Sequence, residues 1–228
     1  MTRDLCAHAT TLGQPPRRWG SLGRLAAMAA ATALTLPISG CTAAQTTGQS
    51  PAYLIINSLL GSTGATPDTF GGTLGSDVIT LVRAEGSDAP VPTVYEDLGQ
   101  VNFMLAMKDP GSETTPTRPS TTNFITVNRY HVQYLRADGR MTPGVDVPYP
   151  FDGGLTVTVT DSGGSASFTL VRVQAKGEAP LKALANGGGA NTISTIAEVT
   201  FYGADQAGRA VSATGRINVT FSDWGDPN

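Results

Sequence analysis

The chain has 228 residues, 40% of them hydrophobic and 14% charged, with a formal net charge of −3. That apolar share suits a packed core rather than a disordered polymer, and a slightly acidic chain without any basic run argues against nucleic acid as a partner. The two cysteines, Cys6 and Cys41, both lie near the N-terminus, so whatever folds beyond them is not stapled by disulfides.

Residues 1–40 read as an export signal. Arg3, Arg17, Arg18 and Arg24 make a basic start opposed only by Asp4, and an apolar run of 14 residues follows from Leu25 to Ile38. A basic segment, a short apolar segment and a small-residue cleavage site define a secretory signal. The run falls short of the roughly 20 apolar residues that span a bilayer, and Pro37 ends a helix there. It stops at Ile38-Ser39-Gly40-Cys41, which looks like the lipobox of bacterial lipoproteins: a branched apolar residue, two small ones and the Cys that receives a diacylglyceryl group. The resemblance implies cleavage before Cys41, lipidation of Cys41 and attachment to a membrane through several acyl chains, a firm anchor because stable attachment takes at least two such signals. Arg17-Arg18 also admits the twin-arginine export route, although Gly20 and Ser21 stand where that signal carries apolar residues. Thr42, rather than Asp, after the Cys points to the outer membrane in a cell that has two.

Removal of residues 1–40 leaves 188 residues with 11 basic and 17 acidic side chains, a net charge of −6. The segment 41–51 is small and polar after the Cys and reads as a flexible tether. From residue 52 to 228 the chain reads as one domain of short β-rich runs, expected near 52–58, 77–83, 100–108, 123–136, 154–161, 165–175, 193–203 and 209–221. Many alternate with period two. Val101, Phe103, Leu105 and Met107 share one face. Leu155, Val157 and Val159 oppose Thr156, Thr158 and Thr160. Ala197, Val199 and Phe201 point inward, and Glu198, Thr200 and Tyr202 outward. Such alternation means one buried and one wet face, as in antiparallel sheets. The loop Asp205-Gln206-Ala207-Gly208 suits a hairpin, and helical periodicity is absent apart from a weak turn near 180–185. The expected fold is all-β, an immunoglobulin-like antiparallel β-sandwich behind the signal and tether.

Four long loops interrupt the strands, at 85–92, 109–122, 137–153 and 185–191, and long loops on a rigid scaffold are where binding resides. The third is the candidate ligand-binding loop. It carries Asp138, Asp146 and Asp152 for hydrogen bonding, Tyr149 and Phe151 for apolar contact, and Pro143, Pro148 and Pro150 to stiffen the backbone. Three Asp among Gly residues also suit weak Ca²⁺ binding, but the spacing matches no EF-hand and turn chemistry accounts for them; Glu96-Asp97 is a lesser case of the same kind. No metal and no cofactor are expected.

Catalytic patterns are missing. Gly163-Gly164-Ser165-Ala166-Ser167 fails as a nucleophile elbow at its last position, no His-Glu-x-x-His occurs, and Gly187-Gly188-Gly189 lacks the third glycine of a dinucleotide loop. His131, the single His beyond the leader, sits at strand parity opposite Val132 and reads as a solvent-facing strand residue; one His does not make a zinc site. Tyr130 and Tyr134 share parity with Val132 and read as core.

Several stretches resemble a group of uncharacterised bacterial lipoproteins with a single immunoglobulin-like domain: Ser76-Asp77-Val78-Ile79-Thr80, Arg129-Tyr130-His131-Val132, Gly144-Val145-Asp146-Val147-Pro148-Tyr149, Leu170-Val171-Arg172-Val173-Gln174-Ala175-Lys176 and Glu198-Val199-Thr200-Phe201-Tyr202-Gly203. The resemblance implies a fold and a place in the cell envelope, and no activity. The Cys…Trp…Cys signature of antibody domains is missing. The expected function is a non-enzymatic binding, adhesion or assembly module, held to the membrane at Cys41 and facing an envelope protein or glycan. The alternatives are a purely structural envelope component and a glycan-acting enzyme built on a carboxylate pair.

Overall fold

The computed structural model describes residues 49–83 and 89–224, all within one compact unit spanning Ser39–Asn228. The segment expected to be an export signal, Cys41 and most of the expected tether lie outside the described residues. The protein is all-β. Its strands are β1 (Ala52–Ser62), β2 (Thr73–Asp77), β3 (Thr80–Val82), β4 (Val91–Thr93), β5 (Asp97–Met107), β6 (Ile125–Arg136), β7 (Phe151–Val159), β8 (Gly164–Val171), β9 (Thr192–Asp205) and β10 (Ala210–Ser222). Helix among the described residues is confined to one α-turn, α1 (Val173–Lys176), and two 3₁₀ turns at Thr121–Asn123 and Leu181–Leu184.

The strands form a three-stranded sheet in the order β1-β5-β8, a five-stranded sheet in the order β2-β10-β9-β6-β7, and a two-stranded ribbon β3-β4. Every pairing is antiparallel except β2 with β10, which is parallel. The wholly antiparallel expectation is corrected there: β1 and β2 lie in different sheets, so the chain crosses between them and β2 arrives beside β10 running the same way. Three further boundaries differ from the sequence reading. The run at 77–83 is the end of β2 and then β3, divided at Val78, which is buried and donates its N–H to Ser222 O. The run at 165–175 stops at Val171 and turns helical at Val173. The fold also begins before Ala52: Ser50 is buried and Pro51 O accepts the Lys108 N–H.

The two large sheets share one core. Period-two alternation puts Val101 and Phe103 of β5, Tyr130, Val132 and Tyr134 of β6, Ala197, Val199 and Phe201 of β9 and Val219 and Phe221 of β10 inside. Phe201 is met edge-on by Phe103 from the facing sheet at 5.1 Å and by Phe168 at 5.3 Å, a geometry that aligns ring edges with ring faces. The inward tyrosines are amphipathic and their hydroxyls need partners. Tyr134 Oη donates to Leu170 O at 2.6 Å, and Tyr130 Oη accepts the Thr169 N–H at 3.2 Å. Both bonds cross from β6 to the backbone of β8, so the tyrosines satisfy an edge strand as well as filling space. Burial raises both phenols above their ordinary pKa.

Register fixes two ends. β6 starts with Ile125 opposite Asp205 and finishes with Arg136 opposite Thr195. Ten residues of β9 at about 3.3 Å each separate those levels by roughly 33 Å. At the first level lie the chain entry at residues 49–51, the β9–β10 hairpin, the β7–β8 turn and the β5–β6 connection. At the second lie the β3-β4 ribbon, the β6–β7 loop, the segment from α1 to residue 191, and residues 223–224 after β10.

Candidate functional site

The β6–β7 loop is a compact, self-bonded platform. Its first turn is closed by Gly139 N–H to Arg136 O and Arg136 N–H to Arg140 O. Asp138 caps that turn by accepting the Arg140 N–H at 3.1 Å and the Arg140 guanidinium at 2.9 and 2.7 Å. Those bonds hold the exposed Asp138 carboxyl below the usual carboxylate range and raise Arg140. In the second turn Thr142 O accepts the N–H groups of Val145, Asp146 and Val147, and Asp146 returns a bond from the Thr142 N–H at 3.3 Å. Gly144 takes φ +75° and lies under the Tyr149 hydroxyl, where a Cβ would come within 2.3 Å of the oxygen, so both the backbone sign and the contact require glycine. Buried Val147 pins the platform to the core.

The predicted site residues separate into three environments. Asp138 and Asp146 meet through Arg140, whose Nη1 is 3.7 Å from Asp146 Oδ1, so both carboxylates face a cation of the protein itself. Asp152 is elsewhere: it is the second residue of β7, opposite His131, with Oδ1 3.2 Å from His131 Nδ1 and 3.8 Å from Arg129. The three Asp do not converge, and among the described residues no three His, Cys, Asp or Glu side chains gather as a metal site would require. Phe151 is corrected from an exposed contact to a core residue. It is 8% exposed, packs edge-on against Tyr130 and is covered by the Arg172 guanidinium at 4.4 Å. The loop is therefore shorter than expected and ends at Pro150, because Phe151–Gly154 join β7 opposite Arg129–Val132. Gly153 belongs in that strand because the Tyr130 ring lies where its Cβ would be.

Tyr149 keeps its predicted place, 48% exposed, and two neighbours that the sequence reading passed over join it: Met141 at 54% and Val145 at 69%. Their signal was apolar residues set among Pro, Gly and Asp with no strand parity to bury them. The other connections at this end repeat the pattern, with Leu81 and Val91 on the ribbon, Val94 before β5, Val173 on α1 and Trp224 after β10. Among the described residues, eight of the eleven exposed large hydrophobics lie on connections at this one end.

The same end hides an ion pair. Lys176 Nζ lies 2.9 Å from Asp97 Oδ2, with both side chains 1% exposed. Ser76 Oγ donates to the same oxygen at 2.6 Å and the Gly64 N–H donates to Oδ1 at 3.0 Å. Asp97 thus ties β2, the β1–β2 connection and α1 to the start of β5, and its closure from solvent makes it an internal tie rather than a reaction centre. Nothing local in the sequence marks Lys176 as buried.

The outward face of the five-stranded sheet is wet. Arg129 stacks on Tyr202 at 4.2 Å, Glu198 holds Gln133 at 2.6 Å and Arg216 at 2.6–2.8 Å, and Thr200 bonds Thr214. His131 lies on this face, as its parity predicts. Shallow hollows of about 310, 360 and 450 Å³ open on the strands and turns, and none of these three is lined by two carboxylates. No known protein family, curated protein or solved structure matches the chain.

Proposed function

We propose that this protein is a non-enzymatic envelope lipoprotein, anchored at Cys41, whose immunoglobulin-like β-sandwich binds a protein partner through the end opposite its chain entry. The strand order supports the fold reading. With β5 as strand B, β8 as E, β6 and β7 as C and C′, and β9 and β10 as F and G, the two sheets correspond to an A-B-E layer facing a G-F-C-C′ layer. The Phe103–Phe201 contact bridges the strands that antibody domains join by a disulfide, and Tyr130 on β6 packs against Phe201 on the strand where those domains carry their core Trp.

The observation that carries the binding reading is the concentration of exposed apolar side chains at one end. Singly scattered exposed hydrophobics are ordinary, whereas the gathering of most of them on the connections of one end favours an interaction surface there. Tyr, Trp and Met are enriched at protein interfaces, and the self-bonded loop under Met141, Val145 and Tyr149 presents them with little ordering left to do. The carboxylates in the loop already face Arg140, which favours an apolar contact over a cation. The test is cross-linking and capture of the acylated protein in its own envelope, wild type against Val145→Ala with Tyr149→Ala. A protein captured by the wild type and lost with the variant supports the reading; equal recovery from both removes this end as the binding surface.

A further inference from the structure

The outward face of the three-stranded sheet is divided along its length. Near the chain entry Tyr53 and Ile55 of β1 and Met104 of β5 are 55%, 43% and 50% exposed, and Ile55 lies directly opposite Met104. Farther along, the same face is polar apart from the half-buried Leu60 and Leu98: Asn102 donates to Ser58 at 2.7 Å, and Gln100 and Asn102 pair with Ser167 and Ser165. The described chain enters beside the apolar half. Gln49 Oε1 accepts from Lys108 Nζ at 3.2 Å, and Lys108 stands 5.1 Å over the Tyr53 ring. Eight residues lead from Cys41 to Gln49, a reach of at most about 28 Å at 3.5 Å per residue.

We infer that this apolar half-face rests on the lipid surface that holds the anchor, with Tyr53, Ile55 and Met104 entering the boundary between headgroups and acyl chains and Lys108 at the level of the phosphates. The inference builds on the anchoring at Cys41. A short tether keeps the entry end within reach of the bilayer, so contact there costs little further entropy, whereas the polar half and the opposite end lie farther out. The chemistry matches the site: Tyr places an apolar ring below and a hydroxyl at the wet boundary, and Lys extends its ammonium from an apolar stem to the headgroups. The neighbouring Asp109 carboxylate is turned to its own loop, accepting the Gly111 N–H. The domain then leans on its three-stranded sheet, and the wet face of the other sheet points away from the membrane.

The experiment uses the full chain, exported and acylated, reconstituted in phosphatidylcholine vesicles. Lipidation consumes Cys41 and cleavage removes Cys6, so Met104→Cys and, separately, Ser167→Cys each supply a single thiol for a nitroxide. The label at 104 should collide with oxygen dissolved in lipid several-fold more often than with a water-soluble nickel chelate, and the label at 167 should show the reverse. Adding Tyr53→Ser and Ile55→Ser should wet the label at 104 without changing the melting temperature. Equal chelate access at 104 and 167 overturns the contact, as does protection at 104 accompanied by spin–spin broadening between two copies, which would assign the face to a second molecule. The mass of the same sample separates the two claims. Acyl mass on Cys41 with a wet label at 104 sinks the contact alone, and an unmodified Cys41 sinks the anchor and the contact together.

Discussion

At the chain-entry end two connections are tight turns that satisfy themselves, and the long β5–β6 connection, residues 108–124, bonds largely to itself and sends no side chain into the core. The β9–β10 turn is closed by Gly208 N–H to Asp205 O and Asp205 N–H to Arg209 O, and the β7–β8 turn by reciprocal bonds between Thr160 and Gly163. At the opposite end the longer connections are anchored in the core, by Val147 under the β6–β7 loop, by Leu181 and Leu184 after α1 and by the Asp97–Lys176 pair, and Val78 is buried before the ribbon. A tight turn has few residues and nothing to display. A long connection, once pinned by one or two buried side chains, leaves the others free to face outward. The difference between the ends is thus a difference between closing a sheet and building a surface on it.

Both ends depend on the core between them, and the largest expected effect lies there. Val199 is fully buried on β9 and Thr200 faces outward beside Thr214. An unpaired buried charge costs several kcal/mol, whereas surface changes stay within about 0.5 kcal/mol. Val199→Asp should abolish folding or lower the melting temperature drastically, and Thr200→Asp should barely move it. Similar melting temperatures for the two variants would refute the inward parity of β9.

Next comes the tie at the display end. Lys176→Ala leaves the Asp97 carboxylate buried without its counter-charge, held only by Ser76 and Gly64, a loss of about 3–5 kcal/mol, read as a lower urea midpoint at unchanged slope. Replacing both members, Asp97→Leu with Lys176→Met, should recover part of that loss, because a buried pair exchanged for apolar groups of similar volume is often neutral. A single variant as stable as wild type would mean that the pair does not hold this end together.

The entry end has a weaker counterpart in Asp205, whose carboxylate accepts the N–H groups of Ala207 at 3.0 Å and Arg209 at 2.9 Å. Burial pushes its pKa up, but the bonds from Arg209, Ser50 and Ala207 and the nearby Arg209 charge outweigh that and hold it below the ordinary Asp value. A depressed folded pKa stabilises fully above the unfolded value of about 3.9 and loses that contribution as pH falls through the folded one. Asp205→Asn should therefore cost on the order of 1–2 kcal/mol at pH 7, with a gap to wild type that narrows below pH 4. A gap independent of pH would show that the charge does not contribute.

Much of this architecture was legible in the sequence, and the failures have a common cause. Alternation in β5, β7, β9 and β10 gave inward and outward faces because a strand with one wet side writes period two into its residues. The same parity placed Tyr130 and Tyr134 inside and His131 outside. Phe151 and Asp152 were misread because Pro148, Pro150, Gly153 and Gly154 look like turn residues, while the strand they open is imposed by pairing with β6. Lys176 and the parallel arrival of β2 at β10 likewise depend on partners far away in sequence. Which end a loop occupies is set by topology, so the loop could be chosen from its composition, but its exposed neighbours on the ribbon, on α1 and at Trp224 could not be grouped with it.

The smallest expected stability change is also the one that isolates display from closure. Val145 and Tyr149 project from a loop whose hydrogen bonds are made by its backbone and by Asp138, Thr142 and Asp146. Removing their side chains deletes no bond in that set. The Tyr149 ring does cover Gly144, so truncation loses one local contact, yet Val147 remains buried beneath the loop. Val145→Ala with Tyr149→Ala should shift stability by no more than about 0.5–1 kcal/mol, the range of surface substitutions with one partial contact, while Phe151 is left in place because it belongs to the core. Hydrogen exchange supplies the check: the amides of Val145, Asp146 and Val147, all bonded to Thr142 O, should keep their protection in the variant. If that protection collapses, the two side chains build the loop and do not merely ride on it, and the apolar surface at this end would be scaffold rather than contact.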